Sequence, residues 1–281
     1  MEKQFDAESK ELIVLTETGA GAGKGWKEKL WTASVNILAS VDPSAGVLNK
    51  ETTVLEWPLT DEECRTEEKK FDIKGQKIYR LRVKESLPFQ NPYNGAQMRR
   101  GYWLQLIEVL ERGCREERLE KILAEYQKPV SLMTENCGEL LLDKLLGMYH
   151  GETTWNGGKC QVHLDVDEDG SETAKDSLQT LEKLMEDSAG WDDKARRFAA
   201  DKLTDLANDW QDSEYDEAET DGDENVITKE EFAKRLSASE LCVSTEGDFE
   251  MYYNDDDMFW GHVVVVSGNI DSGMSDAQIE G

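Results

Sequence analysis

Apolar and polar positions alternate through Trp31, Ala33, Val35, Ile37 and Ala39, the period of a strand with one buried face. The spacing predicts a strand over residues 31–41. Before it, residues 12–16 form a short apolar run that ends in the glycine-rich stretch 19–25, which reads as a loop. Residues 42–46 carry Asp, Pro, Ser and Gly and read as a turn. Residues 54–57 read as a further strand, with Pro58 expected to stop it. Residues 71–73 and 78–83 read as the arms of a hairpin about Lys74 and Gly75, with Arg80 and Arg82 on one face. Residues 102–110 read as a strand. Leu119, Ile122 and Leu123 stand at helical spacing within residues 116–126, and Pro129 closes that segment.

The pattern then changes. Residues 130–132 and 138–142 read as strands, and Trp155-Asn156-Gly157 reads as a tight turn feeding a strand that ends at Leu164. Leu178, Leu181, Leu184 and Met185 share one helical face; Ala195, Phe198, Ala199, Leu203, Leu206 and Trp210 share another. Residues 211–225 are acidic, nearly free of apolar side chains, and read as a mobile loop. Thr228 followed by Glu231 has capping-box spacing and predicts a short helix. The chain closes in a meander over residues 241–245, 248–253 and 259–267. The fold class is therefore α+β: a β-rich N-terminal domain, residues 1–128, followed by an α+β domain, residues 129–281, with an antiparallel C-terminal meander.

Charge sharpens this division. Residues 1–130 carry 21 Lys and Arg against 22 Asp and Glu, whereas residues 131–281 carry 11 against 38. The second domain is a polyanion, which argues against nucleic acid or an anionic membrane as its ligand. Eight Trp among 281 residues argue for a packed interior despite the charge. The first ten residues show no apolar signal region, and the run at residues 263–266 is far too short to span a bilayer. Five dispersed Cys without a C-x-x-C pair fit reduced thiols and a cytoplasmic location.

No catalytic signature accompanies these features. The run from Gly19 to Gly25 has Thr18 where a phosphate loop needs its first Gly, and Gly25 where it needs Ser or Thr. Two acidic stretches imitate calcium loops. Asp165, Asp167 and Asp169 with Gly170 have the right opening but the wrong continuation. Asp221, Asp223 and Glu230 have a fitting close, with Glu224 where Gly belongs. His262 follows the carboxylates Asp255, Asp256 and Asp257, and in a strand it would share a face with Trp260, Val264 and Val266. A metal or general-base role there is conceivable in chemical terms.

The C-terminal residues carry a resemblance. Three segments hold it: residues 138–143 with Tyr149-His150-Gly151 and Trp155-Asn156-Gly157; Trp191-Asp192 with Phe198-Ala199-Ala200 and residues 227–232; and residues 247–250 with Asp255–Asp257, Phe259-Trp260-Gly261-His262 and Gly281. Residues from about 130 to 281 resemble the bacterial family catalogued as domain of unknown function 2262, and residues 1–128 resemble its β-rich companion. The resemblance implies an uncharacterised cytosolic bacterial protein and transfers no catalytic residue.

The leading expectation is a non-enzymatic binding protein, without a cofactor, that engages a basic protein partner in the manner of an immunity or antitoxin factor. Its expected contact residues are Asp255, Asp256, Asp257, Trp260 and His262. The alternatives are a calcium module through the two acidic loops, and a metal-dependent hydrolase built on His262 and its neighbouring carboxylates.

Overall fold

Strand β1 (Lys10–Thr16) pairs on one side with β3 (Trp31–Asp42) and on the other with β6 (Ile78–Glu85), antiparallel in both cases. β6 pairs with β9 (Trp103–Arg112), β9 runs parallel to β5 (Thr53–Leu59), and β5 returns to β3. These five ladders close a ring, the five-strand Greek-key barrel arrangement of the OB type. Short strands β2 (Gly21–Gly23) and β4 (Val47–Asn49) extend β3, and β7 (Phe89–Gln90) pairs with β8 (Gln97–Met98). The computed structural model describes residues 4–26, 28–66, 70–91, 95–168, 171–214 and 226–281.

Alternation fills the barrel. Leu12, Val14, Val35, Leu55, Trp57, Leu81 and Leu104 point inward and are buried. β1 also buries its second face: Leu15, with Ala39, Val41 and Ile78, packs against Leu119 of the helix α2 (Glu117–Tyr126), which follows β9. A five-residue helix α1 (Asp61–Arg65) opens with the capping box of Thr60 and Glu63.

Three expectations for this domain are corrected. Residues 19–25 contain strand β2 as well as loop. Pro58 does not stop its strand: β5 continues to Leu59, with Pro58 opposite Thr32. The ladder with β9 ends at Glu56, so the missing N–H of Pro58 falls where that edge of β5 has no partner. Residues 71–73 form no strand. Ile73 is buried in the barrel core, and Phe71 meets Trp57 edge-on at 5.8 Å. The outward Arg80 and Arg82 ion-pair with Glu11 and Glu108.

The chain divides into two units, residues 1–128 and residues 129–281. The second is built on one sheet of eight strands in chain order: β10 (Ser131–Thr134), β11 (Gly138–Asp143), β12 (Met148–Trp155), β13 (Gly158–Asp165), β14 (Ser237–Val243), β15 (Asp248–Asn254), β16 (Val263–Asn269) and β17 (Gly273–Glu280). All neighbours are antiparallel except β13 and β14, which are parallel. Between those two, the chain makes helices α3 (Lys175–Glu186), α4 (Ser188–Glu214) and α5 (Lys229–Arg235). Parallel neighbours require such a crossover.

The helices cover one face of the sheet. Leu181, Leu184, Ala195, Ala199, Leu203 and Phe232 pack with Leu140, Val162, Leu164, Leu241, Met251 and Val264 in one core. The α+β class and the C-terminal meander stand as expected. Strands β12 and β17 escape the sequence pattern, and α4 runs through Gln211 to Glu214, where a loop was expected; residues 215–225 lie outside the described residues. β16 begins at Val263, so His262 belongs to the preceding turn and does not share a strand face with Trp260, Val264 and Val266. Among the described residues, no helix is long and apolar enough to cross a membrane.

Candidate functional site

The sheet face turned away from the helices gathers the carboxylates of the strands. By the register, Leu141, His150, His163, Cys242, Glu250, Ser267 and Asp276 form one cross-strand row on that face. Glu152, Gln161, Glu240, Tyr252, Val265 and Gln278 form the next, with Glu139 on the same face by alternation along β11. The eight strands contain nine carboxylates, and alternation puts every one on this face; their only Lys or Arg is Lys159.

Among the described residues, most of that charge meets no Lys or Arg. Glu240 accepts from the Cys242 thiol at 3.2 Å and stands 3.5 Å from His163 Nε2; Glu250 accepts from the Tyr252 hydroxyl at 3.1 Å and from Ser267 at 3.4 Å. Lys159 reaches Glu152 at 3.5 Å. Burial, and then the neighbouring carboxylate Glu240, pushes the Cys242 thiol well above its ordinary value and disfavours the thiolate.

The helix layer is organised differently. Seven of the eleven Lys and Arg in residues 131–281 lie on α4 and α5. Four of the seven meet carboxylates: Arg196 with Asp192 at 2.8 Å, Arg197 with Asp193 at 2.9 Å, Lys229 with Asp201 at 2.8 Å, and Arg235 with Asp256, in the turn after β15, at 3.0 Å. A cleft of about 580 Å³ runs between the two helices, floored by Ala200 and Ala233 and closed at one end by Asn156.

Asp192 anchors that end. Its side chain is 1% exposed and its oxygens accept from Trp155 Nε1 at 3.2 Å, Asn156 Nδ2 at 2.8 Å and the Tyr253 hydroxyl at 3.1 Å, in addition to the Arg196 guanidinium. Four donors use all the lone pairs of the carboxylate, so it acts as a brace between hairpin, helix and sheet. Burial, and then the Asp192 charge, holds the Tyr253 phenol protonated far above its usual range. Arg196 Nη1 donates to Leu236 O at 2.6 Å, and its guanidinium lies 5.8 Å from the Tyr253 ring centre. Sequence reasoning missed this network. Its visible signal was the doubled i, i+4 spacing of Asp192/Arg196 and Asp193/Arg197.

The five expected contact residues come together in the turn between β15 and β16, organised around Phe259. Asp255 is buried and accepts from the Phe259 N–H at 2.5 Å and the Asp257 N–H at 3.2 Å. His262 Nδ1 stands 2.6 Å from Phe259 O. Asp256 holds Arg235, while Asp257 and Trp260 are exposed. Trp260 has φ 53° and leans on Trp210 with ring centres 5.1 Å apart. A bulky side chain in the left-handed region costs roughly 1–2 kcal/mol, which the packing around it must offset. Asp255 and His262 are thus both engaged by one backbone unit and form no open acid–base pair.

The described carboxylates of the two calcium-loop stretches, Asp165, Asp167 and Glu230, lie apart in the fold. Asp167 accepts from the Thr173 hydroxyl at 2.5 Å and from the N–H groups of Lys175 and Asp176 at 3.2 Å, capping the start of α3. Asp165 ends β13, with its backbone oxygen accepting from Ser177 at 2.7 Å, and Glu230 lies on α5 at the cleft. Asp169, Asp221 and Asp223 lie outside the described residues. No group of three or more His, Cys, Asp or Glu among the described residues is placed to hold a metal ion.

Comparison with known families agrees with the two-part layout. A profile described as "Domain of unknown function (DUF7021)" matches residues 1–126, and one described as "Uncharacterized protein conserved in bacteria (DUF2262)" matches residues 134–279. No curated protein and no solved structure matches the chain. The second match spans more than half of the 281 residues and coincides with the resemblance carried by Trp191-Asp192 and the Phe259–His262 turn; the chain belongs to the DUF2262 family of uncharacterised bacterial proteins.

Proposed function

We propose that this is a non-enzymatic binding protein whose second domain presents its uncovered sheet face to a cationic protein surface. One observation carries the reading: nine carboxylates and a single Lys share one face of one sheet. Fields from like charges spaced across neighbouring strands add within the screening distance of about 8 Å at physiological salt, and they steer a positive partner toward that face. The exposed Leu141 and the half-buried Tyr252 give the face an apolar component that a partner can cover. An immunity or antitoxin factor held against a basic toxin is the biological form this chemistry takes in our reading.

A Lys/Arg-rich peptide titrated into the full-length protein tests it. Glu139→Lys, Glu152→Lys and Asp276→Lys together should weaken binding on the order of tenfold and flatten its salt dependence. Glu182→Lys, Glu186→Lys and Asp209→Lys make the same change in net charge on the helices and should leave binding nearly intact. Equal losses in the two triple variants would reduce the effect to bulk charge and remove the docking face.

A further inference from the structure

The cleft between α4 and α5 has a charge arrangement of its own. Three of its cations are matched within the layer: Arg196, Arg197 and Lys229 each hold a carboxylate. Two opposite charges make no direct ion-pair contact, although Glu230 lies near Lys229 and Lys234 near Glu231. Lys234 and Glu230 both line the cleft, both are exposed, and neither forms an ion pair with any described residue. They stand at i and i+4 on α5, a spacing at which Glu and Lys commonly pair.

The helices fix which charge lies at which end. Arg196 donates to Leu236 O, and Lys229 pairs with Asp201, so α5 runs antiparallel to α4. Lys234 therefore lies toward the Arg197 and Asn156 end of the cleft, and Glu230 toward the Asp201 end. The Asn156 amide spends one N–H on Asp192 and retains a second donor. One end of the cleft offers donors and the Lys234 cation; the other offers the Glu230 carboxylate.

The geometry points to a binding site for a short zwitterionic peptide, its carboxylate at Lys234 and its ammonium at Glu230. Four residues of helix rise by ~6 Å, whereas two extended peptide units reach ~7 Å. A free amino acid is too short to satisfy both charges, and a di- or tripeptide fits. A cleft of about 580 Å³ lies within the size range of small-ligand sites. The site is on the opposite layer from the acidic sheet face, so it stands or falls independently of the docking proposal.

Dialanine and trialanine, titrated into the full-length protein and followed by amide chemical shifts of α4 and α5, test this. Both peptides should give saturable shifts at millimolar concentration, the regime of two exposed charge contacts. N-acetylation or C-amidation should each weaken binding roughly tenfold. In Lys234→Met, the free peptide and its amide should bind equally; in Glu230→Gln, the free and acetylated forms should. Absence of saturation at about 10 mM, equal binding of capped and free peptides in the wild type, or acetate binding as well as dialanine, would each overturn the proposal.

Discussion

Tyr253, on strand β15, donates its hydroxyl at 3.1 Å to Asp192, on helix α4, 61 positions away in sequence. The two side chains are almost wholly buried, and they tie the helix layer to the sheet at the point where the Trp155-Asn156 turn also arrives. Removing one member of a buried pair leaves the other uncompensated.

Asp192→Asn should therefore destabilise the domain by about 3–5 kcal/mol, because Arg196 then keeps a partly buried charge without its partner. Tyr253→Phe, which deletes one neutral donor, should cost about 1–2 kcal/mol. Urea unfolding of Asp192→Asn with and without Arg196→Met checks the assignment: the double variant should be more stable than Asp192→Asn alone. A simple sum of two losses would contradict it.

Gly268 on β16 is a position of close approach. A β-carbon there would lie 2.6 Å from the Phe249 ring and 2.9 Å from Gly273 O. Neither obstacle is a flexible chain end, so Gly268→Ala should cost about 1–3 kcal/mol by overpacking. At Gly23, on β2, the same atom meets nothing within 4 Å, and Gly23→Ala should change stability by less than about 0.5 kcal/mol. Thermal unfolding of the two variants separates them.

Two carboxylates that cap helices shape the acid limb of stability. The Thr173 hydroxyl, joined by backbone N–H groups of α3, holds Asp167 below its ordinary value, and the backbone and hydroxyl of Thr228 do the same for Glu231 at α5. A depressed folded pKa contributes stability that is complete above the ordinary carboxylate range and is lost as pH falls through the lower, folded value. Asp167→Ala and Glu231→Ala should thus lose stability at pH 7 and show a shallower decline between about pH 5 and pH 3. Parallel urea midpoints for wild type and variants across that window would refute the capping roles.

The thiols should react unevenly. Burial pushes Cys160 up to about 12, and Cys242 is raised by burial and by Glu240. At pH 8 only about one Cys160 in ten thousand is thiolate. A maleimide or disulfide reagent should modify the half-exposed Cys64 and Cys137 well before Cys160 and Cys242, and all five after unfolding. Mass mapping of the first modified site decides it.

Much of the fold was legible because single-faced elements announce their period. Trp31 through Ala39 alternates, and the Leu178 and Ala195 faces repeat every three to four residues. β12 and β17 escaped because their inward positions include Gly151, Thr153 and Ala277 in place of large apolar residues, so no alternation shows. The Phe71–Ile73 segment misled because Phe71 and Ile73, apolar at alternate positions, pack on the barrel core without pairing to any strand. The acidic sheet face was present in the composition and hidden in the order. Its carboxylates are scattered from Glu139 to Glu280, and only the eight-strand register gathers them. The Asp192 brace was invisible for a similar reason: its partners Trp155 and Tyr253 are joined through space, and each looks like an ordinary core aromatic in sequence.

The parallel ladder of β13 and β14 has a kinetic consequence. Every other ladder of the eight-stranded sheet joins neighbours across a short connection, whereas Val162 meets Leu241 only after the whole helical excursion is complete. Closing a loop of roughly eighty residues carries the largest entropic barrier in the domain. The two four-strand meanders can each zip locally, and their union at this seam sets the refolding rate. Truncating Val162 or Leu241 should slow refolding, while a lesion in the Asn156-Gly157 hairpin chiefly hastens unfolding.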